Sequence, residues 1–284
     1  MKKALKISGL VVVALLVVAG GFIGLQYSAG ASALEVVYEA PLVEVTVPTD
    51  EASLAEGQRL VVARGCTECH GADLGGKAID MGPMGVLWGP NLTNSKQTPA
   101  EMARAIRHGV HMDGTPLVLM PSEDYWILSD RDVGMILAAV EAAPEVKREN
   151  QPQQLGAMAY VVLGLGQMPI AAAKIDHKAS RSTAPAPGPT VEYGKYLANT
   201  CIGCHGKDLK GGIEQGPPGT PPSSDLTTAL NGWSREDLEA ALTQRKRPNG
   251  PDINEFMPAT AFKSMTDTEF DALYAYLSSL PGNQ

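Results

Sequence analysis

At 284 residues the chain is long enough for two domains of ordinary size, and it is acidic, with a formal net charge of −8. That balance, with no Lys/Arg-rich arm, argues against nucleic acid as a partner. Aromatic content is only 5 %, with four Phe, three Trp and eight Tyr, which is thin filling for large protein cores.

Lys2, Lys3 and Lys6 precede a segment, 7–34, that carries no charge at all. Residues 7–25 are mostly Val, Leu, Ala and Gly, just enough to cross a hydrocarbon core of ~30 Å as one helix. Basic residues ahead of the span predict an N-in, C-out orientation. Ala31-Ser32-Ala33 resembles the A-x-A site of a cleaved signal peptide. The apolar run, however, exceeds the ~7–15 residues of such a leader. Residues 1–34 are therefore read as a retained transmembrane anchor, with a signal peptide as the alternative. Residues 35–49 alternate apolar and polar positions (Val43, Val45, Val47) up to Pro48. They read as an extended tether or as a strand laid on a partner.

Cys66-Thr67-Glu68-Cys69-His70 then recurs as Cys201-Ile202-Gly203-Cys204-His205, and the two copies use all four cysteines. C-x-x-C-H is the attachment signature of a c-type haem. Two thiols on one helical turn reach the two porphyrin vinyl groups as thioethers, and the histidine that follows ligates iron. A redox C-x-x-C pair or half a zinc site would not need two complete copies. Two covalently bound haem c groups are expected, which leaves no thiol for a disulfide and provides the missing apolar filling. Covalent attachment also places these domains on the oxidising, periplasmic (extracytoplasmic) side of a membrane.

The surroundings of the two motifs repeat at an offset of about 136 residues. Gly57-Gln58-Arg59-Leu60 matches Gly194-Lys195-Tyr196-Leu197 ahead of the motifs. Gly71-Ala72-Asp73-Leu74-Gly75-Gly76 matches Gly206-Lys207-Asp208-Leu209-Lys210-Gly211-Gly212 after them, and Asn91-Leu92-Thr93 matches Asp225-Leu226-Thr227. Helix starts of S/T-x-x-D/E type fall at Thr98/Glu101 and Ser129/Asp132, then at Ser234/Asp237 and Thr266/Glu269. Helical apolar spacing marks 129–142 and 266–280, which Pro144 and Pro281 stop. Each unit reads as a helix ending at the haem motif, a Gly/Pro-rich loop, a middle helix, a second loop and a last helix. The predicted fold is all-α, with units at 50–143 and 188–284. A linker, 144–187, carries an apolar stretch, 155–170, interrupted by Gly156, Gly164, Gly166 and Pro169, and then a stiff proline connector, 184–189. The stretch is too short for a second span. It reads as a helix packed across both domains, or as an interfacial helix touching the membrane or a partner subunit.

This pattern resembles the class I cytochrome c domain, over roughly 50–143 and 188–284, with first and last helices crossing beside the haem. The motifs assign His70 and His205 as proximal ligands. No histidine follows His205, so Met257, in Phe256-Met257-Pro258, is the candidate sixth ligand of the second unit, with Met265 read as a core contact. In the first unit Met120, heading Met120-Pro121-Ser122, is the counterpart. Its main competitors are His108 and His111; among the other candidates (Met81, Met84, Met102, Met112 and Met135), Met102 and Met135 read as core and Met81 as cover for a haem edge. The resemblance further implies that a proline carbonyl accepts the N–H of the ligating imidazole. Pro90 fits that place, whereas the second unit has Ser224 there, which puts its contact in doubt. Trp88 and Trp233 are read as donors to a propionate or as packing, and His177 as structural.

Two His/Met haems have no open site for substrate, so the expected function is relay of single electrons, not catalysis. The whole chain resembles membrane-anchored dihaem cytochrome c subunits that accompany respiratory or dehydrogenase complexes, which implies redox protein partners at the membrane. The alternatives are the dihaem subunit of a terminal oxidase, a dihaem peroxidase-like enzyme that would need His108 or His111 on one iron, and an anchored shuttle.

Overall fold

The structure, a computed structural model, describes residues 2–168, 170–180, 183–214 and 219–283; Pro169, expected to interrupt the linker helix, lies outside them. The charge-free N-terminal run satisfies its own backbone as a single helix, α1 (Lys2–Ala33), and its apolar side chains between Leu10 and Leu25 are exposed. The tether that follows has no regular structure, but it is not free. Val45 is buried in the main core, and the Thr46 carbonyl lies against Gly134, where a Cβ would come within 2.3 Å. The tether is thus laid on its own first domain.

That domain runs α2 (Glu51–Ala63), α3 (Cys66–His70), β1 (Gly75–Asp80), β2 (Gly85–Asn91), α4 (Pro99–His108), α5 (Ser122–Tyr125) and α6 (Asp130–Ala142). The linker holds β3 (Gln154–Leu155), α7 (Ala157–Gly164) and α8 (Ala171–Lys174). The second domain runs α9 (Val191–Ala198), α10 (Ile202–His205), α11 (Arg235–Gln244), α12 (Ala259–Phe262) and α13 (Asp267–Ser278). The architecture is mainly helical as expected, with one addition. The Gly/Pro-rich segment after His70 pairs into an antiparallel hairpin, with Lys77 opposite Gly89, and β3 adds to its outer edge at Gly85–Leu155.

Four helices start at the residues their caps predict. Thr98, Ser234 and Thr266 close reciprocal capping boxes with Glu101, Asp237 and Glu269. Ser129 caps the backbone N–H of Asp132 but receives nothing back. The Asp132 carboxylate is committed elsewhere, accepting from Tyr196 Oη at 2.5 Å and from Arg131.

The two domains share one organising contact. Gly57 on α2 meets the backbone of α6 so closely that a Cβ would lie 1.9 Å from the Met135 carbonyl oxygen; Gly194 on α9 stands in the same relation to Ala272 on α13. First and last helices therefore cross backbone to backbone, and only glycine leaves room. Around each crossing sit Leu60, Val61, Ile136 and Val140, or Leu197, Phe270, Leu273 and Leu277, all buried.

Between the domains, Arg59 donates to Glu269 at 2.7 and 2.9 Å and to the Ser264 carbonyl at 2.9 Å. Glu269 is buried, so removing its cation leaves an uncompensated carboxylate, a loss of several kcal/mol. We expect Gly57→Val or Gly194→Val to destabilise the mutated domain by about 3 kcal/mol through overpacking, read as an earlier unfolding midpoint in denaturant. An unchanged midpoint would contradict the crossing.

Candidate haem sites

Each C-x-x-C-H run forms a short helix directly after the crossing helix, α3 after α2 and α10 after α9. Both histidines are buried, at 8 % exposure. His70 Nδ1 donates to the Pro90 carbonyl at 2.9 Å, and His205 Nδ1 donates to the Ser224 carbonyl at 2.7 Å. The doubt attached to Ser224 is thereby resolved: the acceptor is main chain, so the change of side chain leaves the bond in place. In both rings Nδ1 is engaged, which directs a metal to Nε2 and fixes ring orientation. Burial holds the His70 imidazole below its ordinary pKa, against the Pro90 bond that raises it; the neutral ring is the ligating form.

The flanking backbone repeats as faithfully as the motifs. Leu74 and Leu209 both take positive φ, 54° and 59°. The N–H of Leu92 donates to Leu74 O, and that of Leu226 to Leu209 O, each at 2.8 Å. Asn91 and Asp225 each accept the N–H of the threonine two residues on.

The methionine loops are also twins. Ser122 N–H donates to Met120 O and Ala259 N–H to Met257 O, both at 2.8 Å, and each turn leads into a short helix, α5 or α12. Both methionines are half-buried against the core, as are Met102 and Met265, while Met135 is part of it. The competing histidines are placed otherwise. His108 is buried with its Nδ1 3.0 Å from His177 Nδ1, and His111 is exposed.

The donor set fits a covalently held haem. None of the four cysteines is tied up in a disulfide. Burial pushes Cys66 up to about 11 and Cys201 up to about 12, an apolar setting suited to a porphyrin edge and unsuited to a thiolate metal site. Among the described residues no group of three or more His, Cys, Asp or Glu could hold a metal ion by itself. Trp88 Nε1 is buried without a partner, a donor free for a propionate. Trp233 packs against the core.

Sequence reasoning missed that the two motifs abut. Arg64, two residues before Cys66, donates to Thr200 Oγ1, one residue before Cys201, at 3.0 Å, and its guanidinium lies 5.5 Å from the Tyr196 ring centroid. Tyr125 donates to the Arg64 carbonyl at 2.7 Å, and Asn199 Nδ2 to the Asp124 carbonyl at 2.6 Å. The Asp124 carboxylate sits over the second motif, where a Cβ on Gly203 would be 2.6 Å from Oδ2. These contacts are long-range and leave no local pattern in the sequence.

Residues 191–281 match the cytochrome c family, and 52–138 match the cytochrome c oxidase cbb3-type subunit III family. The chain is a multidomain member of the cytochrome c family, with two cytochrome c domains that bind two covalently attached haem c groups. It is 27 % identical over 269 residues to the fructose dehydrogenase cytochrome subunit of Gluconobacter japonicus, covering 81 % of this chain and 53 % of that protein. It is 24 % identical over 277 residues to the alcohol dehydrogenase (quinone) cytochrome c subunit of Gluconacetobacter polyoxogenes, covering 83 % and 58 %. The gluconate 2-dehydrogenase cytochrome c subunit of Pantoea cypripedii is 30 % identical over 97 residues, 30 % of this chain and 22 % of that protein. The chain spans a little over half the length of the first two relatives.

Burial pushes the Asp124 carboxyl up to about 7, with Glu123 adding to the shift. A folded-state value above the unfolded one (~3.9) means that stability is full below the unfolded value and falls as pH rises towards 7. We expect Asp124→Asn to flatten that decline, a gain of at most about 4 kcal/mol above pH 7. Unfolding midpoints measured from pH 4 to 8 check it, and parallel curves for the two proteins would contradict it.

Proposed function

We propose that this cytochrome c relays single electrons for a membrane dehydrogenase complex, as an electron-carrying subunit and not as its catalyst. What carries the proposal is the similarity, over about four fifths of the chain, to cytochrome subunits of dehydrogenases. The haem irons supply reversible one-electron chemistry when bound. Cys66, Cys69, Cys201 and Cys204 hold the two porphyrins as thioethers, with the units at 50–143 and 188–284. His70 and His205 would hold iron through Nε2, supported by the Pro90 and Ser224 carbonyls at Nδ1. Met120 and Met257 would supply the second ligand of each iron, supported by their matching turns. With both ligands engaged, neither iron would admit a reactant such as peroxide. The contact between Arg64 and Thr200 keeps the two attachment segments side by side.

The anchor is α1, retained, with the haem domains on the periplasmic side. Its C-terminal end supports retention over cleavage after Ala33: Ala33 and Leu34 pack against a buried cluster of Val110, Leu163, Ile170 and Ala172. The second reading, a subunit of a haem-copper oxidase, is favoured by the match over 52–138 alone.

Purification from native membranes in mild detergent decides between them. Co-isolation of a dehydrogenase subunit whose substrate reduces both haems is expected, and a haem-copper core in its place would overturn the proposal. Met120→Ala and Met257→Ala are each expected to remove half of the sulfur-to-iron charge-transfer absorption and to lower the potential of one haem, because a thioether ligand raises it. Redox titration followed by absorption checks this; an undiminished band in either variant would remove that methionine from the ligand set.

A further inference from the structure

The two longest charge-free runs of the sequence are 7–34 and 150–173. They are far apart in the chain, yet they pack on each other. A Cβ on Gly30 of α1 would lie 1.9 Å from the Tyr160 carbonyl oxygen, and one on Gly164 of α7 would lie 1.9 Å from the Gln26 carbonyl oxygen. The helices are therefore antiparallel and in backbone contact, the close approach that small residues permit between helices at a membrane. Tyr27 and Tyr160 meet across the same junction as a tilted ring pair, with centroids 5.0 Å apart.

The register sets depth. Gly164 lies level with Gln26, the first polar side chain after the apolar span 7–25, so the chain leaving α7 reaches the outer end of that span before it turns back at Gly166 (φ 68°). The tip is exposed and uncharged: Leu165, Gly166 and Gln167 are all open to the surroundings. On α7 itself Met158 is 53 % exposed, and Leu165 just beyond is 42 % exposed, next to Phe22 and Leu25 on α1 at 52 % and 69 %. Tyr rings at this level are the side chains favoured at a membrane–water boundary. The other face of the hairpin is fixed to the first domain, since Leu163 and Ile170 are buried with Val110.

We propose that the α7 tip, 163–168, is a second membrane contact, seated in the lipid interface beside α1, whose occupant is the bilayer itself. The inference rests on α1 being the membrane anchor, and the apolar surface of the tip is continuous with that helix. One helix alone would leave the haem domains free to swivel. Two points of contact fix which face of the first domain looks at the membrane, and hence which surface is left for a redox partner.

Reconstitution of the full haem-loaded chain in phosphatidylcholine vesicles that carry a photoactivatable diazirine near the headgroup end of an acyl chain tests this. After irradiation, lipid adducts are mapped by mass spectrometry on the tryptic segments 7–59 and 149–174, each of which contains one charge-free run whole. Adducts on both, several-fold above any segment of the second domain, are expected, and Leu165→Glu should reduce those on 149–174 while leaving 7–59 unchanged. Adducts confined to 7–59 would overturn the second contact and leave the anchor standing. Adducts on neither would overturn both.

Discussion

The contact on which this molecule depends is the crossing of first and last helix in each domain, made through a glycine with no side chain. Gly57 on Met135 and Gly194 on Ala272 bring two backbones within reach of each other. Everything functional hangs from the ends of those helices. The first delivers the C-x-x-C-H turn, and the last is preceded by the methionine loop. A β-carbon at either glycine would push the helices apart.

Duplication then makes a second constraint. Two copies of a carrier joined by a flexible linker would exchange electrons only on encounter. Here the exit of α2 and the exit of α9 are tied by Arg64 and Thr200, with Asp124 pressed on the second motif and Arg59 bound to Glu269. These are buried or half-buried polar contacts, costly to break one-sidedly, so the domains behave as one body. Burial raises the carboxyl at the junction to about 7, so this interface responds to pH near neutrality.

Much of this was legible in the chain. The haem motifs, the four helix starts and the matched Met-Pro loops are local patterns, each with its own chemistry, and the helices start at the caps the sequence marks. Pro90 was found because its side chain marks the place; Ser224 was doubted because a backbone acceptor leaves no mark in the sequence. The hairpin of β1 and β2 escaped because its glycines and prolines break the alternation by which strands are recognised. The linker helix α7, read as packed across both domains or as an interfacial helix, lies along α1. Its apolar character was plain, but a nearly all-apolar helix has no polar face to say which side is buried. Arg64, Asp124 and Thr200 carry no motif at all; only tertiary structure brings them together.

The central claim is that both irons are closed on both faces at rest. Electron paramagnetic resonance of the oxidised, full-length protein in detergent measures it most directly. Two low-spin ferric signals, integrating to two irons per chain with no high-spin component and unchanged by added cyanide, are predicted. A high-spin signal from either iron in the resting protein would contradict the account.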